Sequence, residues 1–382
     1  MKKLFILLCT LALVAGCAGR NPQKIEPNPL PDIDREYHPK RVWSRNVGRG
    51  IGKQFLHLQP AVTAEGIYAA DYRGLVRAFT PDRGRAKWRT RTGDRISGGL
   101  YAGYGLVIYG TRDGEAVALS AEDGSERWRV RLTSEVLAAP VAGQGQALFR
   151  TIDGRVISLD LDTGEQRWGY DTTVPVLILR GSARPTIADG RAYVAFANGR
   201  VAALDMNTGL AIWERRVAEP TGRSELERLV DISNNLIVQG GGVFASSFQG
   251  RVTVLDIDDG RPFWAREMST FGFMASQDGR LYISDSSSEV WAIDQRSGND
   301  LWRQDALSGR QLTGAAVQDG QVVVGDKDGW LHWIDGESGH ITARRKHRYS
   351  GFGAAPVVRG NMVYVYGRTG RLAAYELRPW RR

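Results

Sequence analysis

This 382-residue chain holds 42 aspartates and glutamates but only five histidines and two cysteines, and their spacing matches no acid–base, nucleophilic or metal-binding motif. The five histidines, His38, His57, His332, His340 and His347, include no His-Glu-x-x-His pair, which would put two imidazoles one helical turn apart around a zinc ion. A predicted turn separates His332 from His340. No Gly-x-Ser-x-Gly elbow offers a nucleophile, and Gly52-Lys53 runs into Gln54 without the upstream glycine spacing of a phosphate loop. Gly48, Gly50 and Gly52 then read as a flexible lead-in. Asp160, Asp205, Asp256 and Asp294 could each supply a carboxylate, but they fall at equivalent places in recurring segments, which predicts turn-forming residues in place of catalytic acids. No catalytic residue, metal site or cofactor site is expected.

What must position these side chains is a repeat. The stretch from Gly154 to Trp168, Gly-Arg-Val-Ile-Ser-Leu-Asp-Leu-Asp-Thr-Gly-Glu-Gln-Arg-Trp, recurs at Gly74, Gly114, Gly154, Gly199, Gly250, a degenerate Ser288, Gly329 and Gly370. A second glycine follows ten residues later, and a tryptophan four after that: Trp88, Trp128, Trp168, Trp213, Trp264 and Trp302, with Ala343 in the seventh copy. Within each unit, short runs of Val, Ile, Tyr and Ala are bounded by Asp-Gly, Asn-Gly and Thr-Gly turns. That pattern predicts an antiparallel meander of four strands and no helix after position 40. Eight such units of about forty residues predict an all-β, eight-bladed β-propeller. The repeated indoles should pack between neighbouring blades.

The eighth unit stops at Arg382 without its turn-and-tryptophan strand, and an orphan segment around Trp43 resembles that missing strand. The N-terminal segment is therefore expected to complete the last blade, closing the ring and removing two open sheet edges. Trp380 is the rival for that slot, and Pro379 argues against it.

Residues 1–16 have a basic head and a short apolar core, a secretory signal too short to persist as a membrane span. Val14-Ala-Gly-Cys17 resembles a bacterial lipobox, which implies cleavage before Cys17 and lipidation of its sulfur. Ala18, by resemblance to sorted lipoproteins, favours the outer membrane, with the chain facing the periplasm. Residues 17–40, five of whose last nineteen are proline, read as a flexible tether ahead of a propeller at 41–382. The only cysteines are Cys9 and Cys17, so the expected mature domain carries no disulfide. A net charge of +9, spread through every unit, suits a solvated surface or contact with anionic head groups or an acidic partner. Export excludes nucleic acid as a partner.

The Gly-x-Val-x-Ala-Leu-Asp-x-x-Thr-Gly-x-x-x-Trp pattern resembles the docking repeats of quinoprotein dehydrogenases, propellers that hold pyrroloquinoline quinone with calcium. Those enzymes are longer and set a vicinal cysteine pair against the quinone, which this chain lacks. That resemblance covers the scaffold only.

Unit length gives an independent indication. The segments after Trp168 and Trp213 are longer than their counterparts, and in an up-and-down ring both emerge side by side on the face that carries the anchor-glycine hairpins. They contain Leu177-x-Leu179-Arg180-Gly181 and Thr221-Gly-x-x-Glu225-x-x-Arg228-Leu-x-Asp231. Together with the lipobox and the repeat, these loops resemble the BamB family of outer-membrane protein assembly factors over essentially the whole chain. The resemblance implies a non-enzymatic, lipid-anchored scaffold that docks on the POTRA domains of BamA within the β-barrel assembly complex. It further implies other subunits of that complex and unfolded outer-membrane protein clients as partners. By the same resemblance Leu177, Leu179, Arg180, Arg228 and Asp231 form the docking surface. Ile232-Ser233 departs from the family pattern where a further acidic residue is expected.

Overall fold

The computed structural model describes residues 26–175, 183–219, 231–232, 235–270, 272–347 and 351–380. The described residues contain strands and turns without a helix. Eight four-stranded antiparallel sheets make up the ring, seven of them ordered innermost to outermost along the chain and the eighth taking its outermost strand from the N-terminal side. Blade 3 shows the plan: strands Val141–Gly143, Gln146–Arg150, Arg155–Asp160 and Gln166–Asp171. The two middle strands are almost wholly buried because both faces pack on neighbouring blades, so they read as continuous apolar runs such as Ala147-Leu-Phe149.

Ring closure follows the sequence expectation. Strand Tyr37–Asn46 pairs antiparallel with Arg371–Pro379, from Tyr37 opposite Pro379 to Asn46 opposite Arg371, and becomes the outer strand of blade 8. Trp380 does not continue the sheet. Its backbone N–H donates to the Glu36 carbonyl at 2.7 Å.

Two expectations are corrected at the N-terminal side. The closing strand opens at Tyr37, four residues before the boundary drawn at 41, and residues 26–36 lie along blade 7 in place of hanging free. Asn28 N–H bonds Ser308 O at 2.9 Å, Arg344 Nη1 holds Pro31 O at 3.0 Å, and Glu36 N–H bonds Thr342 O at 3.0 Å, while Ile33 packs on the apolar cluster of blades 6 and 7. Prolines mark an extended backbone, which is also the shape needed to cover an open sheet edge. The lead-in glycines are likewise fixed, not flexible. Gly50 has φ +61° and a Cβ there would lie 2.3 Å from Arg368 O, both of which favour glycine, and the Val47 and Ile51 N–H groups bond the Gly370 and Arg368 carbonyls across the closure.

The tryptophans set the spacing between blades. Each indole N–H donates to a carbonyl in the next blade, as Trp128 Nε1 does to Leu161 O (2.9 Å) and Trp213 Nε1 to Ile257 O (3.0 Å). Trp43 reaches from blade 8 to Pro81 O of blade 1 at 2.9 Å. Each ring also lies flat on the second glycine of that next blade. At Gly209 a Cβ would come within 2.5 Å of the Trp168 ring, and the φ of +74° already favours glycine. This explains why the glycine and the tryptophan repeat together. Ser288, the degenerate anchor, adopts the left-handed φ of its glycine counterparts at +69°.

Between blades 7 and 8 the joint differs. Among the described residues blade 8 has no turn after its third strand, hence no glycine on which an indole could lie, and Ala343 occupies the tryptophan position. Trp333, one strand further in, fills the space: it is fully buried, lies edge-on to Tyr375 and donates Nε1–H to Gln318 Oε1 at 2.8 Å.

Candidate functional site

The regularly placed aspartates are consumed by turns. Oδ1 of Asp160 accepts the N–H groups of Asp162 and Thr163, both at 2.9 Å, and Asp205, Asp256 and Asp294 do the same in their own blades. The Arg167 guanidinium, and then the Thr163 N–H, pull the Asp160 carboxyl down to about 2. Such a group stays ionised at neutral pH and cannot shuttle protons. No cluster of three or more metal-ligating side chains forms among the described residues.

A cavity of about 770 Å³ opens between blades 6, 7 and 8, with Phe55, Phe273, Phe352 and Leu312 in its wall. Its carboxylate, Asp285, is pushed upward by burial, and its oxygens are already used by the Ser287 and Glu289 N–H groups and the Trp291 indole.

The described stems of the two long inter-blade segments lie beside each other. Leu177, Leu179, Arg180 and Arg228 lie outside the described residues; Asp231 and the stems of both loops are described. The stems are tied to each other. Arg184 N–H donates to Asn235 Oδ1 at 3.2 Å, and Thr186 Oγ1 donates to Leu236 O at 2.9 Å, joining the residues that follow the first loop to those that follow the second. Asn198 Nδ2 holds the outgoing stem of the first loop at Thr173 O, 2.7 Å away.

Beneath them sits Arg150, on the second strand of blade 3 and almost fully buried. Its Nη1 donates to Ala183 O, where the first loop returns, at 3.2 Å. Burial lowers its pKa and the Asp231 charge opposes that shift, so the end of the second loop supplies the counter-charge. Asp231 itself has no exposed surface, and its carbonyl accepts Phe248 N–H at 3.0 Å. Asp231, which sequence reasoning grouped with the loop arginines, is buried and takes part in the charge balance at Arg150, next to the described stems. Arg150 was not foreseen, since one arginine among many in a strand pattern carries no distinguishing signal.

With this geometry in view, comparison with known proteins decides the family. Residues 72–304 and 286–379 match the sequence profile described as outer membrane protein assembly factor BamB. The chain belongs to the BamB family. The outer membrane protein assembly factor BamB of Pseudomonas aeruginosa is 44% identical over 372 residues, spanning 97% of this chain and 98% of that one. The crystal structure of BamB from Moraxella catarrhalis superposes with a TM-score of 0.82 at 28% identity, covering 89% of this chain and 100% of that one. A quinohemoprotein alcohol dehydrogenase from Comamonas testosteroni reaches a TM-score of 0.70 over 96% of this chain and 82% of its own, but at 15% identity it shares the propeller alone. The BamB relationship thus extends over the loops as well as the blades.

Proposed function

We propose that this protein is a non-enzymatic subunit of the β-barrel assembly complex, anchored to the periplasmic side of the outer membrane through a lipidated Cys17. It docks on the POTRA domains of BamA, and the other subunits of the complex are its partners through BamA. The observation that carries this reading is the tying of the described stems of two consecutive long loops beside the buried Arg150 and Asp231. A rigid base under paired loops suits protein docking, because little conformational freedom is then lost on binding. Leu177 and Leu179 supply apolar anchors, Arg180 and Arg228 orient the partner, and Asp231 acts through Arg150 by fixing the stems.

Unfolded clients are a second part of the proposal. In each of blades 1 to 7 the outer strand carries a bulge, at Lys87, Arg127, Arg167, Ile212, Phe263, Leu301 and Thr342, which interrupts the ladder and disfavours strand addition along the edge. In blades 4 to 6 the bulged residue is a large apolar one, exposed by 44%, 60% and 48%. These three side chains offer extended apolar clients a contact that needs no fixed register.

The test is co-purification of BamA from detergent-solubilised membranes. Arg180→Glu with Arg228→Glu is expected to lower recovery by about thirtyfold or more, as the loss of ~2 kcal/mol at an interface centre would. Unchanged recovery by a folded double variant sinks the docking reading.

A further inference from the structure

The outer edge of blade 7 gathers positive charge with no carboxylate to balance it: Arg344 and Lys346 donate only to backbone carbonyls, of Pro31 at 3.0 Å and of Asp328 at 2.6 Å. Here the N-terminal strap turns into the closing strand and leaves a groove of about 430 Å³ against Ile341–Lys346. Arg35, Arg344, Arg345 and Lys346 line it together with Trp330 and Trp380. The lining includes no carboxylate, and among the described residues none of the four cations forms an ion pair. Lys346 Nζ lies 4.9 Å and the Arg344 guanidinium 5.2 Å from the centre of the Trp330 ring, and Arg35 lies 5.5 Å from that of Trp380. These aromatic faces hold like charges close together despite their repulsion.

Crowding of this kind leaves a mark on Arg344, whose pKa is lowered first by burial and then by the neighbouring Arg35 and Arg310 charges. Asp32 and Asp326 oppose the shift without cancelling it. An incoming anion would relieve that repulsion. The pairing of indoles with arginine and lysine is also the composition found where proteins meet the headgroup layer of a bilayer. Free phosphate would need only the cations. The two indoles are what a ligand with an apolar continuation would use.

We propose that this groove binds the phosphate headgroup of an anionic membrane lipid, its oxygens facing the four cations and its glycerol and acyl portion lying against Trp330 and Trp380. Arginine presents a planar fork of donors to phosphate oxygens, while Lys346 adds a point charge. A lipid held here brings the blade 7 edge to the leaflet, so the ring stands in a fixed orientation instead of swinging on its tether. The inference does not depend on the BamA reading, and its test involves no BamA.

Native mass spectrometry of the full-length protein in non-ionic detergent reads the site directly. Dihexanoyl phosphatidylglycerol, dihexanoyl phosphatidylcholine and sodium phosphate are the three separate additions. One phosphatidylglycerol should be retained at least tenfold better than phosphatidylcholine. Arg345→Glu with Lys346→Glu should abolish that preference, whereas Lys87→Glu with Arg127→Glu, on the outer strands of blades 1 and 2 and outside the groove, should leave it unchanged. Arg344 is kept because it also holds the strap at Pro31. Arg345→Lys, which preserves charge, should retain most of the binding, and unchanged melting of the double variant shows that the loss is local. Equal retention of the two lipids, retention unaffected by the double reversal, or displacement of the lipid by millimolar phosphate each overturns the proposal.

Discussion

The joint between blades 3 and 4 and the seam between blades 7 and 8 solve the same packing problem with different residues. At the ordinary joint Trp168 lies on Gly209 and donates to Met206 O at 2.8 Å, so an outer-strand indole is clamped by a turn of the next blade. At the seam no such turn follows the third strand of blade 8 among the described residues, the outer-strand position of blade 7 is Ala343, and Trp333 occupies the gap from one strand further in. The difference shows that the repeated tryptophan is specified by its neighbour's glycine and not by its own blade. Where the neighbour lacks the turn, the docking pair is lost as a unit and the volume is refilled by Trp333 and Tyr375.

The comparison is broken most strongly by removing the indoles. Trp168→Ala and Trp333→Ala should each cost about 3–5 kcal/mol in denaturant unfolding, from lost apolar burial, the cavity left behind and an unpaired acceptor. The two should differ in how they fail. The seam variant is expected to expose the closing strand Tyr37–Asn46 to protease before the rest of the ring, and equal cleavage in both variants would remove the distinction. A smaller effect isolates the glycine. Gly209→Ala must place a methyl group 2.5 Å from the Trp168 ring, whereas Gly320→Ala, at the same φ of +74°, meets nothing within 4 Å. Gly320→Ala should cost ~1–2 kcal/mol of backbone strain alone and Gly209→Ala some 1–3 kcal/mol more, read from the shift in denaturation midpoint.

The smallest effect is a pH dependence confined to blade 7. His332 is fully buried beside Asp326, Arg310 and Arg344, and its pKa is lowered from 6.5, chiefly by burial with the two arginines adding to it and Asp326 opposing. Its native value lies below the unfolded one, so its full contribution is present above about pH 6.5. As the pH falls the unfolded chain takes up a proton that the native state resists, and stability declines. Melting temperature should therefore drop between pH 7 and pH 5, and His332→Gln should flatten that drop. An unaltered profile in the variant would assign the dependence to other groups, His57 first among them.

Much of this was readable before any coordinates. The glycine-to-tryptophan spacing gave the blade count and the indole packing, and the truncated eighth unit located the closure around Trp43. The two overlong units pointed to the loop face, though four of the five docking residues chosen there, Leu177, Leu179, Arg180 and Arg228, lie outside the described residues. Asp231 could not be placed from sequence, because nothing in a loop's composition tells whether its last carboxylate points outward or underneath.

The local repeat determined the blades, their number and their order, because each of those follows from interactions within about forty residues or between consecutive copies. Only the tertiary structure decided how Arg150 binds the stems of two loops, how Trp333 fills the seam, and how Arg35 and Trp380 come to stand beside Arg344. The first two join neighbouring blades through side chains that the repeat does not specify, and the third joins segments hundreds of residues apart that only the closing of the ring brings together.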